Sequence, residues 1–224
     1  MIGIFDSGVG GFCALREIRR LLPREDIVYL ADRKNAPYGT KSEDEIICLT
    51  KADIKRLCAY GVKKILIACC TASSVYASLD LWEREISLPI IKPAAKKAAS
   101  GRRIAVIATE RTVRSAVFSK EISKISSAEV VELPAQRLVA LVEGGCRDGR
   151  INEECERELC RIADLTKEIE ADRLILGCTH FSHLEKELQE RCGIKTVSPA
   201  REGAITLANM ITKSRTECGR SIYI

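Results

Sequence analysis

Short apolar segments rich in Ile and Val alternate with amphipathic segments along most of the chain. Between the apolar segments, stretches such as FCALREIRRLL at 12–22 place apolar residues at helical spacing. This alternation predicts βα units around parallel sheets, and so the α/β fold class. The predicted strands are IGIF at 2–5, IVYLA at 27–31, VKKILIA at 62–68, RIAVIAT at 103–109, EVVEL at 129–133, DRLILG at 172–177 and KTVS at 195–198.

Several helix boundaries can be predicted from local residue patterns. Ser42 and Glu45 form a capping box, which predicts a helix from there to Gly61. A long charged helix is expected from about Asn152. We also predict one helix over ASSVYASLDLWERE at 72–85, one from about Thr112, one through LVALVE at 138–143, one over HLEKELQERC at 183–192 and a last one near 202–213.

The pattern restarts near KPAAKKAASG at 92–101, which suggests a weak internal repeat. KILIACCT at 64–71 corresponds to RLILGCTH at 173–180. We therefore predict two similar α/β domains, residues 1–92 and 93–201, with a C-terminal helix at about 202–224 packed against the first. Because ligands bind at the carboxyl ends of parallel strands, we expect the active site in the cleft between the two domains.

Charge and hydropathy narrow the class of protein. The 224 residues include 36 Lys and Arg against 31 Asp and Glu, which gives a net charge of +5. The two signs alternate along predicted helices, so we expect a mixed solvated surface and no nucleic-acid partner. No apolar run reaches the roughly 20 residues that cross a bilayer, and the first residues do not resemble a signal peptide. A cytoplasmic protein without a membrane partner is therefore expected.

The chain has 11 cysteines, an odd number with irregular spacing, which favours reduced thiols over a disulfide framework. Zinc is an alternative, because Cys178, His180 and His183 stand close together and Cys69 and Cys70 are adjacent. No CxxC pair occurs and the chain has only 2 His, so we expect no metal site. Buried free cysteines behave as small hydrophobic residues, a role we predict for Cys13, Cys48, Cys58, Cys155 and Cys160.

The repeat distinguishes the two adjacent thiols. Cys69 is the fifth residue after Lys64, and Cys178 is the fifth after Arg173. Matching Cys70 with Cys178 instead would shift the strand register by one residue and turn the thiol to the other face. We therefore expect Cys69, rather than Cys70, to correspond to Cys178.

Two thiols that face one substrate suit the inversion of a carbon centre. One group removes an acidic hydrogen while another returns a proton on the opposite face. The ordinary cysteine pKa of about 8.5 can be lowered by a nearby cation or a helix N-terminus, which makes thiolate available. We expect His180 to assist Cys178 and Asp6 to assist Cys69. The glycines of DSGVGG at 6–11 do not fit GxGxxG, so their backbone N–H groups are better candidates for a substrate carboxylate than for a nucleotide.

Four segments in this order resemble the glutamate racemases of the aspartate/glutamate racemase superfamily: IGIFDSGVGG, ADRKNAPYGTKS, ACCTASS and LGCTHF. The resemblance extends over nearly the whole chain. It implies two α/β domains and cofactor-independent interconversion of L- and D-glutamate for bacterial peptidoglycan. The implied partner is a small molecule, glutamate, and a homodimer is compatible because relatives commonly form dimers.

The resemblance also implies roles for individual residues. The implied catalytic residues are Cys69, Cys178, Asp6, His180 and Glu143. The implied substrate-binding residues are Asp6, Ser7, Pro37, Tyr38, Gly39, Cys70, Thr71, Thr109, Thr112, Thr179 and His180.

One position departs from the family pattern. The family usually has Asn where this chain has Cys70, and a thiol is a poor hydrogen-bond donor by comparison. Loss of one hydrogen bond to a charged group would weaken binding by about 1.5–3 kcal/mol if nothing compensates. A racemase or isomerase of aspartate or another small dicarboxylate is therefore an alternative. A non-catalytic ligand-binding relative and a metal-dependent hydrolase are further alternatives.

Overall fold

The apolar segments form two separate parallel β-sheets, one in each of two units of the chain. The computed structural model describes residues 1–8, 10–147, 149–211 and 219–224. One unit comprises Met1–Ile90 and Ala200–Ile224, and the other comprises Ile91–Pro199. In chain order the strands are β1 (Ile2–Asp6), β2 (Ile27–Ala31), β3 (Lys64–Ile67), β4 (Ser87–Pro89), β5 (Arg103–Ala108), β6 (Glu129–Pro134), β7 (Arg173–Gly177), β8 (Lys195–Val197) and β9 (Ser221–Tyr223).

Helices follow most of the strands, as parallel connections require. The α-helices are α1 (Phe12–Leu21), α2 (Glu43–Ala59), α3 (Cys70–Ser74), α4 (Leu81–Ile86), α5 (Ile91–Ala98), α6 (Glu110–Ser115), α7 (Val117–Ser123), α8 (Gln136–Glu143), α9 (Glu153–Glu168), α10 (Glu185–Cys192) and α11 (Pro199–Met210). Short 3₁₀ helices occur at Tyr38–Thr40, Tyr76–Ser78 and Thr179–Leu184.

In the first unit, β1 lies at the centre of a sheet with the order β4-β3-β1-β2-β9. Phe5 pairs with Leu30 on β2 and with Ile67 on β3, and every residue of β1 is buried. Because β1 is flanked on both sides, the residue at its carboxyl end, Asp6, lies in the middle of the sheet edge. Helix α11 packs against this sheet so closely that a Cβ at Gly203 would lie 2.6 Å from Ile90.

The second unit has a sheet with the order β6-β5-β7-β8, again parallel throughout. Ala108 at the end of β5 pairs with Gly177 at the end of β7. A Cβ at Gly177 would lie 2.8 Å from the carbonyl oxygen of Ile107, so this close pairing requires glycine. Cys178 directly follows, at the carboxyl edge of the sheet.

The predicted strands and the Ser42 capping box are confirmed. Ser42 Oγ accepts a hydrogen bond from the Glu45 N–H, and Glu45 Oε2 accepts one from the Ser42 N–H. The prediction of one helix over 72–85 was wrong. The segment divides into α3, a 3₁₀ turn and α4, because Asp80 starts a new helix with its own capping box.

The end of the chain also differs from the prediction of a helix over about 202–224. Helix α11 ends at Met210, and residues 221–223 form β9, which pairs with β2. The part of the predicted helix at 212–218 lies outside the described residues. Three strand residues were too few to show a periodic pattern.

Two of the five cysteines expected in the core are on the surface. Cys13 and Cys155 are buried and Cys58 is half-buried, whereas Cys48 and Cys160 are exposed. Both exposed residues lie on long amphipathic helices, whose solvent-facing sides accept a small side chain at little cost. Across residues 1–8, 10–147, 149–211 and 219–224, no helix is long and apolar enough to cross a membrane, and no group of three or more His, Cys, Asp or Glu could hold a metal ion.

Replacing Asn152 with Ala should destabilise the second unit. Asn152 caps α9, where its Oδ1 accepts a hydrogen bond from the Cys155 N–H at 2.8 Å. Loss of such a cap costs about 1 kcal/mol, whereas Ser at the same position should retain most of the stability. Urea unfolding followed by circular dichroism measures this. An Ala variant with the wild-type midpoint would contradict the capping role.

Candidate functional site

In the first unit, Asp6, Ser7 and Cys69 lie at the carboxyl edge of the sheet. Asp6 ends β1 and is completely buried, and its Oδ2 accepts a hydrogen bond from the Gly8 N–H at 2.9 Å. Cys69 follows β3, and the Ala68 N–H donates to the Phe5 carbonyl, so the two chain segments run side by side. Glycine is required at Gly11, where a Cβ would lie 2.5 Å from the Asp6 Cβ. The loop after β1 therefore folds tightly over the carboxylate.

Ser7 and Ala72 hydrogen-bond to the Cys69 thiol, and Asp6 places a negative charge near it. Its Sγ lies 3.2 Å from Ser7 Oγ and accepts a hydrogen bond from the Ala72 N–H at 3.4 Å. Burial, and after it the negative charge of Asp6, raises the pKa of Cys69 to about 11, against the lowering effect of its hydrogen bonds with Ser7 and Ala72. Asp6 was expected to assist this thiol. The Asp6 charge itself disfavours the thiolate form of Cys69, so any assistance from Asp6 has to come through another group.

Cys69 and Cys70 lie in different environments although they are adjacent. Cys69 is the residue before α3, and its side chain caps that helix. Cys70 is the first residue of α3, and both Cys70 and Thr71 are buried. The Cys69 thiol, at the fifth position after the start of β3, receives a hydrogen bond from the backbone N–H of Ala72, and its correspondence with Cys178 stays a prediction.

The segment Pro37, Tyr38 and Gly39 follows β2. Tyr38 and Gly39 are buried, whereas Pro37 is exposed. The Tyr38 hydroxyl lies 2.7 Å from Asp32 Oδ2 and 3.1 Å from Asp53 Oδ2. Because the hydroxyl is engaged by two carboxylates, any contact of Tyr38 with a substrate would come from its main chain.

In the second unit, three predicted site residues form a row. Cys178 Sγ lies 3.5 Å from Nδ1 of His180, and Nε2 of the same ring lies 3.3 Å from Oε1 of Glu143. The contact with Glu143 is close but not aligned as a hydrogen bond, and Nε2 has no other hydrogen-bonding partner within the described ranges. A carboxylate beside Nε2 favours a proton on that nitrogen, which leaves Nδ1 free to accept the thiol proton.

The threonines predicted to bind substrate are all buried. Thr109 caps α6, where its Oγ1 accepts a hydrogen bond from the Thr112 N–H and lies 3.0 Å from Thr112 Oγ1. This cap moves the helix start two residues ahead of the predicted Thr112. Thr179 follows Cys178 directly and begins a 3₁₀ turn.

The structure brings Asp6 and Ser7 close to Cys69 in the first unit, and His180, with Glu143 beyond it, close to Cys178 in the second. Each thiol is the fifth residue after the first residue of an interior strand, Lys64 in β3 and Arg173 in β7. A thiol in a buried polar environment can exchange one proton with a bound molecule. Inversion at carbon requires two such proton carriers.

The buried carboxylates around Tyr38 were not predicted from the sequence. Asp32 directly follows β2, and Asp53 lies in the middle of α2 with its Oδ1 bound to Arg56. The position of Asp32 after a buried strand was a usable signal, because carboxyl ends of parallel strands meet at one edge. Asp53 gave no such signal, since charged residues are common along amphipathic helices.

Comparisons with known proteins point to one family. Residues 14–206 match the family described as Asp/Glu/Hydantoin racemase. The chain is 35% identical to a glutamate racemase of Limosilactobacillus reuteri over 90% of its own length and 76% of the relative. It is 36% identical to a glutamate racemase of Geobacter metallireducens, over 94% of this chain and 79% of that one.

Solved structures of glutamate racemases share the fold of this chain. A glutamate racemase from Francisella tularensis in complex with D-glutamate superposes with a TM-score of 0.88 and 26% identity, over 99% of this chain and 86% of that one. A glutamate racemase isoform from Bacillus anthracis gives a TM-score of 0.86, also with 26% identity, over 100% of this chain and 87% of that one.

Two substitutions should change the alkylation rate of Cys69 in opposite directions. Asp6→Asn removes a charge that raises the pKa of Cys69, so more thiolate should be present at pH 8 and alkylation should be at least about threefold faster. Ser7→Ala removes a hydrogen bond that lowers the same pKa, so alkylation should be slower.

The measurement is iodoacetamide labelling in a Cys70→Ala background, followed by mass spectrometry of the peptide that contains Cys69. The exposed Cys160 in the same samples serves as an internal control whose rate should not change. Slower labelling of Cys69 in Asp6→Asn would contradict the electrostatic argument.

Proposed function

We propose that this chain, which belongs to the Asp/Glu/Hydantoin racemase family, interconverts L- and D-glutamate without a cofactor. In this proposal it supplies D-glutamate for peptidoglycan. The observation that carries the proposal is the equivalent position of Cys69 and Cys178 after β3 and β7, interior strands of two parallel sheets. The glutamate racemases that align with most of the chain support the choice of substrate.

In the proposed reaction each thiol serves one face of the substrate Cα. The thiolate on one face removes the Cα hydrogen as a proton, and the electron pair is held by the adjacent carboxylate. The thiol on the other face then donates its proton to Cα. The product has the opposite configuration, and the two cysteines have exchanged protonation states, which makes the reaction reversible with the same groups.

Substrate binding would correct the unfavourable electrostatics around Cys69. A zwitterionic amino acid brings an ammonium group, and the buried Asp6 carboxylate is a suitable acceptor for it. Neutralising Asp6 removes the charge that raises the pKa of Cys69. The hydrogen bonds from Ser7 and Ala72 then favour the thiolate, so the reactive form of Cys69 appears when the amino acid is bound.

Cys178 would be activated by a different arrangement. His180 Nδ1 is within reach of the thiol proton, and Glu143 stands beside the other ring nitrogen. Transfer of the proton to Nδ1 produces an imidazolium, which the Glu143 carboxylate stabilises. This pair can therefore hold the Cys178 proton while the thiolate acts as a base.

The two substrate carboxylates require hydrogen-bond donors. In this proposal they come from the backbone N–H groups of the Tyr38 and Gly39 segment and from hydroxyl groups at the two sheet edges. The hydroxyl donors are Ser7, Thr71, Thr109, Thr112 and Thr179.

Chiral chromatography of EDTA-treated protein with L-glutamate tests the proposal. We expect D-glutamate to accumulate to an equal mixture without added metal or cofactor. Cys69→Ser and Cys178→Ser should each lower turnover by at least about 100-fold, since each removes one acid–base group. Cys70→Ala is the matched control and should keep measurable turnover. Wild-type protein that converts none of L-glutamate, D-glutamate and L-aspartate would overturn the proposal, and activity dependent on zinc would favour a metal enzyme.

Cys70 is the observation that favours a second candidate, a racemase of aspartate or another small dicarboxylate. If Cys70 occupies the place of a substrate-binding amide, Cys70→Asn should restore one hydrogen bond and lower the KM for glutamate about tenfold. Steady-state kinetics with glutamate and aspartate measure the change. A wild-type preference for aspartate that Cys70→Asn does not alter would contradict glutamate as the substrate.

A further inference from the structure

We infer that Asp53 and Asp32 are positioning residues that hold the Pro37-to-Gly39 segment in its binding conformation through the Tyr38 hydroxyl. The inference rests on the proposed function, because that segment is proposed to present backbone N–H groups to the substrate. Neither carboxylate is among the residues that the family resemblance implied.

The contacts link three separate parts of the first unit. Asp32 follows β2, Tyr38 lies in the segment after it, and Asp53 lies on α2. The Tyr38 hydroxyl donates to Asp32 Oδ2 at 2.7 Å and also lies 3.1 Å from Asp53 Oδ2. Asn35 Nδ2 donates to both oxygens of Asp32, at 3.0 and 2.9 Å. The segment between β2 and α2 is therefore fixed at its start and at its centre.

The proton count makes this cluster unusual for a structural contact. A tyrosine hydroxyl has one proton, yet two carboxylate oxygens lie around it. One further proton on Asp53 would complete a chain in which Asp53 donates to the Tyr38 oxygen and Tyr38 donates to Asp32. Burial, and after it the charge of Asp32, raises the pKa of Asp53 to about 6, the direction that favours this proton.

Tyr38 also connects the cluster with the proposed site. Its ring packs against Phe5, the residue before Asp6, with ring centroids 6.2 Å apart. The Tyr38 ring and Cys69 belong to the same buried apolar cluster. A displacement of the hydroxyl would therefore move the Pro37-to-Gly39 backbone relative to Asp6 and Cys69. Burying two carboxyl groups costs free energy, and an apolar side chain could anchor the same turn without that cost. Their presence therefore favours a role in fixing a defined backbone position.

Hydrogen–deuterium exchange together with kinetics tests the inference. Asp53→Ala should lower backbone protection in the peptide covering 36–42 and raise the KM for glutamate about tenfold, while kcat changes less than about threefold. Tyr38→Phe should have the same effects and provides a second variant if Asp53→Ala does not fold. Asp53→Asn should behave as wild type, because its amide can donate to the Tyr38 oxygen and accept from Arg56.

Thr50→Val is the matched control. Thr50 is a buried residue of α2 near Asp53, and its Oγ1 has no hydrogen-bonding partner in the described part of the chain, so its removal should change neither readout. Unchanged protection at 36–42 in Asp53→Ala, or an equal loss in every peptide of the first unit, would overturn the inference. If the wild type does not racemise glutamate, the proposed function fails, and the exchange data still decide whether Asp53 holds the segment.

Discussion

The candidate site depends on the cost of placing ionisable groups inside a protein. Asp6, Cys69, Cys178 and His180 are all buried at the carboxyl ends of parallel strands, where charged forms lose their hydration. Each group must therefore be compensated by hydrogen bonds, by an opposite charge or by a change in protonation. The parallel sheet supplies the first of these, since loops and helix starts converge at the same edge and present backbone N–H groups there.

The two units compensate the burial of their ionisable groups in different ways. Around Cys69, Ser7 and the Ala72 N–H stabilise the thiolate while the Asp6 charge destabilises it. A cationic ligand beside Asp6 would therefore favour the thiolate. Beside Cys178, the His180 imidazole and then the Glu143 carboxylate lie in a row, and the imidazole can accept the thiol proton. The similar strand positions of the two thiols thus coexist with unequal surroundings. A symmetric reaction between mirror-image substrates does not require symmetric acid–base groups.

Much of the fold could be predicted because buried parallel strands and capped helices have strong local signals. The run ILI before Cys69 and the pair Ser42 and Glu45 are examples. Strand β9 could not be predicted, because three residues show no periodic pattern. The division into α3 and α4 could not be predicted either, because it depends on a cap at Asp80. For the site, counting along the strands predicted that Cys69, rather than Cys70, corresponds to Cys178, and Cys69 is the residue whose side chain caps α3. The engagement of the Tyr38 hydroxyl by Asp32 and Asp53 could not be predicted, because it joins residues from separate elements.

Two different thiols are proposed to act on opposite faces of one carbon, and the early course of the reaction in deuterated water distinguishes this mechanism from one with a single acid–base group. With two acid–base groups, the first D-glutamate formed from L-glutamate carries solvent deuterium at Cα, while the remaining L-glutamate keeps its original hydrogen. Mass spectrometry of the separated enantiomers at low conversion measures both. Early D-glutamate that retains the original hydrogen would show that a single group moves the proton between faces, and would contradict the two-thiol mechanism.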